Sequence, residues 1–156
     1  MRAQTCCFTG HRKIPRGLES KLARRLDATI EGLIKNGYRF FGAGGALGFD
    51  TMAAQSVIRL RERYPQIRLI LVLPCVTQAD RWPERDQETY RSIMEQADKV
   101  VYVSQEYTRS CMFARNRRLV DCSSACICYL TESTGGTAYT VDYARKNGLK
   151  VINLAP

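Results

Sequence analysis

Four glycines, Gly42, Gly44, Gly45 and Gly48, fall within seven positions of FFGAGGALGFD, with Asp50 close behind. Glycine loses more backbone entropy on ordering than any other residue. Such a cluster therefore has a local cause: a tight turn, or the close approach of a ligand, most often a phosphate. A second pair, Gly135 and Gly136, stands in TESTGGT with Thr137 behind it. Glycines that open a helix leave its first N–H groups bare at the positive end of the helix dipole, which is an anion site. A third stretch, Thr9-Gly10-His11-Arg12, carries the only histidine. Arg12 has the fork geometry that pairs with phosphate, and His11 can donate a hydrogen bond or move a proton, although a lone histidine is more often structural. Trp82, the single tryptophan, could stack on a base, cover a site or simply pack. In RNRR, helical spacing puts Arg115 and Arg118 on one face and Arg117 off it.

Other chemistries are poorly supported. The first glycine loop reads GxGxxxG rather than the dinucleotide fingerprint GxGxxG, and no GK[ST] follows it as a phosphate-binding loop of a kinase would require. The strand that should supply an acidic ribose ligand, residues 67–73, has none. With no CxxC pair and one histidine, a metal site is not expected. The seven cysteines read as reduced thiols, with Cys6, Cys126 and Cys128 acting as small apolar fillers in strands. The net charge of +9 favours anionic partners without choosing among them. No apolar run approaches the roughly 20 residues of a membrane span, and no signal peptide is apparent at the N-terminus. The expectation is a cytoplasmic protein with no membrane contact.

These residues need a frame that brings them together. Short β-rich runs alternate with helical spacing. QTCCFTG opens as a strand, and apolar residues from Leu18 to Ile34 follow a helical period over 16–36. YRFFGAG is a second strand, and a helix over 50–64 ends before Pro65. IRLILVLP reads as a strand buried on both faces. Pro83 opens a helix to about Gln96, followed by KVVYVS, a helix over 110–122, ACICYL, a helix closed by Asn147-Gly148 and the last strand, KVINL. This rhythm predicts an α/β fold: a three-layer sandwich with a mainly parallel central sheet, in one domain over 1–156. In such sheets ligands bind beyond the carboxyl ends of the strands, and the candidate loops all follow strands.

FTGHR, GGALGFDTMAA, LPC…Q…W, RNRRLVD and GGTAYTVDYA, in this order, resemble the YpsA-like branch of the bacterial SLOG superfamily. That group unites the DNA-processing protein DprA with the LOG phosphoribohydrolases. The resemblance covers essentially the whole chain. It implies a Rossmann-like fold with a pocket for a nucleotide or nucleotide-derived ligand. Gly44, Gly45, Ala46 and Gly48 with Asp50 would line one side. Gly135, Gly136 and Thr137 would hold a phosphate or ribose. Thr9, Gly10, His11 and Arg12 would form the floor, Pro74 and Trp82 would border it, and Arg115 with Asn116 would close it. LOG enzymes carry PGGxGTxxE, whose glutamate serves cleavage of the N-glycosidic bond. Here Thr140 holds that position, so the expected general acid/base is missing, with Asp50 the one weak catalytic candidate.

The leading expectation is binding or sensing of a small nucleotide derivative, such as an ADP-ribose-like molecule or a nucleoside phosphate, with no further cofactor. A LOG-type phosphoribohydrolase is the alternative. Single-stranded nucleic-acid binding is a further one, less favoured because no clear set of aromatic stacking positions shows in the sequence. A homo-oligomer is compatible with all three.

Overall fold

The computed structural model describes residues 1–156. Six strands form one sheet: β1 (Thr5–Gly10), β2 (Phe40–Ala43), β3 (Arg68–Leu73), β4 (Lys99–Tyr102), β5 (Ala125–Tyr129) and β6 (Lys150–Asn153). Their order is β4-β3-β2-β1-β5-β6, and every pairing is parallel. The Rossmann-like expectation is met, with the sheet parallel throughout. Five helices make the crossovers: α1 (Glu19–Lys35), α2 (Phe49–Arg61), α3 (Glu84–Gln96), α4 (Cys111–Asp121) and α5 (Gly136–Lys146). None is long and apolar enough to cross a membrane.

Parallel strands buried on both faces read as unbroken apolar runs. β5, ACICY, is buried along its whole length. One face of the sheet packs on α1, α2 and α3 through Phe8, Phe41, Phe49, Leu26, Ile30 and Leu69. The other packs on α4 and α5 through Cys7, Cys126, Cys128, Val120 and Val141. Cysteine serves here as a small apolar residue. Burial raises the thiol of Cys6 and pushes that of Cys128 up to about 11, while contact with Cys7 is the main cause that raises Cys126.

Element boundaries differ from the sequence expectation chiefly at three places. α2 ends at Arg61 rather than Tyr64, because Glu62 and Arg63 N–H turn in to the carbonyls of Arg59 (3.3 Å) and Leu60 (3.0 Å). α1 begins at Glu19 rather than Arg16, because Leu18 N–H bonds the Pro15 carbonyl (3.1 Å) in a tight turn and Gly17 takes φ +86°. A single 3-10 turn, Arg2–Gln4, precedes β1. Direction along the sheet reverses at β1: the chain goes from there to β2, β3 and β4 on one side, then returns to β5 and β6 on the other. The crevice beyond the carboxyl ends near β1 is where an α/β sheet offers a binding site.

Candidate functional site

The glycine loop after β2 is filled by this chain itself. An alanine methyl at Gly48 (φ +77°) would overlap the Arg12 carbonyl. One at Gly44 would lie 2.7 Å from Nη1 of Arg115, and one at Gly45 (φ +73°) would lie 2.5 Å from Leu73. Gly10 is equally constrained, since a methyl there would run into the Phe49 ring. These glycines exist for close approach, as expected, but the groups that approach are protein groups. The amino end of α2 is partly used as well: Phe49 N–H donates to the His11 carbonyl (3.1 Å).

Arg115 and Asp50 stand behind this loop. Arg115 is only 5% exposed. It donates through Nη1 to the Gly44 carbonyl and through Nε to Asn116 Oδ1 (2.7 Å), and Nη2 reaches Met112 Sδ (3.7 Å). Asn116 thus orients Arg115. Arg118, on the same helical face by spacing, is exposed. Asp50 is buried, and its Oδ2 accepts from Ala46 N–H (3.2 Å), closing the loop on itself. Burial lowers the pKa of Arg115 and raises that of Asp50; in each case the other's charge works against the shift.

The sign for stability follows from linkage. A carboxyl whose folded pKa is raised contributes stability that is full below its unfolded value, near pH 4, and is lost as pH rises through the folded value. Asp50→Asn keeps the shape and removes the charge. The stability of the native protein relative to Asp50→Asn is therefore expected to fall as pH rises from about 4, measured by urea unfolding across pH. Parallel profiles would contradict the assignment.

At the β1 end, His11 is a structural link. Its Nε2 accepts from Thr131 N–H (2.9 Å), tying the β1 loop to the loop after β5, and its ring stands edge-on to Tyr129 at 6.1 Å. Accepting at Nε2 places the proton of a neutral imidazole on Nδ1. Thr9 is buried. Pro74 is buried too, and its carbonyl accepts Ser104 N–H (3.1 Å), which secures the turn after β4.

Arg12 and Trp82 face one cleft. They line this cleft of about 490 Å³ together with Cys75, Thr77, Gln78, Asp80, Arg81, Tyr107 and Met112. This is the size class of small-molecule sites. Trp82 packs edge-on against Tyr90 at 5.2 Å and separates the cleft from a cavity of about 30 Å³ lined by Gly45, Asp50 and Tyr90 among others. That inner cavity is far too small for a nucleotide. Gln78 donates to Tyr90 Oη (3.2 Å), and its Oε1 is buried without a partner. Tyr107, 64% exposed, was not singled out in sequence because it lies in a turn with no periodic signal.

The second glycine loop behaves differently. Gly135 takes φ +101°, and a methyl on Gly135 or Gly136 would meet nothing within 4 Å. No side chain caps α5, and the first N–H of this helix to bond backward is that of Tyr139, to the Gly135 carbonyl (3.0 Å). The N–H groups of Gly136, Thr137 and Ala138 are left without a partner. Thr140 is buried and turns its hydroxyl onto the Gly136 carbonyl (2.8 Å). Asp142 sits on the outer face in an ion pair with Lys146 (2.9 Å). α5 thus points no carboxylate back toward its own amino end.

The family model described as the YspA SLOG family matches residues 8–152. Protein YoqJ, derived from the SPbeta prophage of Bacillus subtilis, is 32% identical over 143 residues, 83% of each chain. A UPF0398 protein of Brevibacillus brevis is 33% identical over 92 residues, which are 59% of this chain and 45% of that protein. Among solved structures, DNA processing protein A from Helicobacter pylori, described for its single-stranded DNA binding mode, superposes with a TM-score of 0.68 at 18% identity, over 96% of this chain and 64% of that one. This chain thus spans less than half of the Brevibacillus relative and under two thirds of the Helicobacter protein. A family model that matches residues 8–152, nearly all of the chain, makes it a member of the YpsA family of SLOG proteins.

Proposed function

We propose that this protein binds a small nucleotide derivative, an ADP-ribose-like molecule or a nucleoside phosphate, at the carboxyl edge of the sheet, with the amino end of α5 holding a phosphate. The observation that carries this reading is the contrast between the two glycine loops. Gly44, Gly45 and Gly48 are each explained by a protein neighbour, whereas Gly135 and Gly136 face open space beside three unbonded N–H groups. That is the chemistry of an anion site at a helix terminus. Arg12 and Arg81 in the cleft on the same edge of the sheet supply positive charge, and Trp82 and Tyr107 supply faces for a base. Without a carboxylate directed from α5, binding is favoured over phosphoribohydrolase turnover.

Thermal unfolding against a panel of nucleoside phosphates and ADP-ribose tests this, with product analysis of each mixture. A ligand at 100 times its Kd adds about 2.7 kcal/mol, which raises Tm by roughly 5–10 °C in a chain of this size. Gly136→Glu should abolish the shift and leave the unliganded Tm nearly unchanged, since its side chain enters open space. No shift with any ligand would sink the proposal, and release of free base would replace it with the hydrolase.

One observation favours a second reading, single-stranded nucleic acid. Phe113 and Tyr139, 40% and 41% exposed, meet edge-on at 5.0 Å, Tyr143 stacks on Tyr139 at 6.4 Å, and Arg117 donates to Tyr139 Oη (3.4 Å). Exposed aromatics beside arginine form a stacking platform, and the Helicobacter protein's described mode is of this substrate class. On this reading Phe113→Ala and Tyr139→Ala each weaken binding of an oligo(dT) by about 1–3 kcal/mol, and affinity falls steeply with salt. Titration of labelled oligo(dT) at several salt concentrations decides it; unchanged affinity in both variants would end this reading.

A further inference from the structure

The helices are shared unequally between the faces of the sheet. α1, α2 and α3 cover one side, and only α4 and α5 cover the other, where they lie on β1, β5 and β6 and reach β3 at its margin. Beside α4, no further helix packs on the face of β2, β3 and β4, where Val72 is buried and Phe40, Ile70 and Val101 are half-buried. Phe40, Ile70, Val72 and Val101 line a groove there of about 360 Å³, with Leu119 of α4 as its wall. Strand residues alternate between faces, so the same alternation brings Lys99 to this side. Lys99 joins Arg2 and Arg118 at the rim; no acidic residue lines the groove, and none of these three cations is in an ion pair.

We propose that this groove docks an amphipathic helix with acidic flanks from a partner protein, laid along β2–β4 beside α4. Three strands span two inter-strand spacings, about 9.6 Å, which matches the roughly 10 Å width of one helix. A helix seated there completes the third layer as α1–α3 complete the opposite one. The rim fixes the sign of the partner. A second copy of this chain, related by a two-fold axis, would bring the same three cations against themselves. The groove includes Thr5, Phe40 and Lys99, the first residues of β1, β2 and β4. It therefore opens toward the amino ends of the strands, away from the nucleotide cleft, and both can be filled at once.

The probe is a synthetic helical peptide of about five turns, with leucine along one face and glutamate on both flanks, compared with a twin carrying lysine in place of glutamate. Fluorescence anisotropy with the full chain should give saturable binding of the glutamate peptide, at least about tenfold tighter than the lysine twin. Lys99→Glu combined with Arg118→Glu should reverse that preference without lowering Tm, and amide NMR shifts should gather on β2, β3, β4 and α4. Equal binding of both peptides, no saturable binding, or shifts elsewhere would overturn the proposal. So would sedimentation showing that the groove residues mediate a dimer, or binding to phosphatidylserine vesicles that the charge reversal abolishes while the peptide preference stays the same.

Discussion

Gly48→Ala is expected to destabilise the protein by about 3–5 kcal/mol, while Gly136→Ala leaves stability within about 0.5 kcal/mol. The two glycines stand in the two glycine loops that the sequence offered as candidate anion sites, yet their surroundings are opposite. At Gly48 two costs combine. With φ +77° and ψ −118° the backbone lies outside even the left-handed helical well, in a region left to glycine, where a Cβ costs about 1–3 kcal/mol. The added methyl then meets the backbone carbonyl of Arg12 rather than a side chain that could swing away. Relief requires moving the His11–Arg12 segment, whose His11 carbonyl accepts the first N–H of α2. Gly136 has ordinary φ and nothing within 4 Å of the new methyl. Urea unfolding of the two variants gives the comparison, and a Gly48→Ala protein as stable as Gly136→Ala would show that the first loop is not packed as described.

The second large effect is a coupling. Gly44→Ala alone should cost about 2–3 kcal/mol, because its methyl would lie 2.7–2.9 Å from the Arg115 guanidinium and side-chain stem. Arg115→Ala alone should cost a similar amount: it strips the Gly44 carbonyl of its buried donor and leaves Asp50 without its compensating cation. Together the two should cost less than their sum by about 2 kcal/mol, since removing the guanidinium opens the space that the methyl needs. No φ strain adds to the effect at Gly44, whose backbone lies outside the positive-φ region. A full double-mutant cycle by chemical unfolding measures the coupling; strict additivity would mean that the glycine has another cause.

Every strand and helix was legible because each is set by local pattern. The unbroken RLILVL run marks a strand, although Arg68 is exposed and Ile70 only half-buried on the face that no further helix covers, and the helical period from Leu22 to Ile34 marks the buried face of α1. The start of α1 was misplaced by a tight turn around Pro15–Leu18, where turn geometry overrides helical spacing. The site was legible only in part. The sequence located both glycine loops at strand ends. It could not tell which loop was already filled. The group that occupies the first loop is Arg115, 71 residues beyond Gly44, and no local pattern reports a partner so distant. The same holds for the cleft, where Tyr107 and Arg12 converge from turns after β4 and β1. The aromatic patch of Phe113 and Tyr139 arises only when α4 packs beside α5.

The fastening of the rim has a consequence for how the chain acquires its native state. Thr131 holds His11 across 120 residues, and Arg115 holds Gly44 across 71. Local contacts form quickly, whereas fastenings of this span wait until long loops have closed. The β1–α1–β2–α2–β3 half can assemble from neighbouring segments, but its glycine loop receives Arg115 only after α4 has crossed to the far face, and the β1 turn is secured only after β5 is in place. The carboxyl edge is thus completed late in folding, and a nascent chain has no finished pocket to offer until its last third has been made.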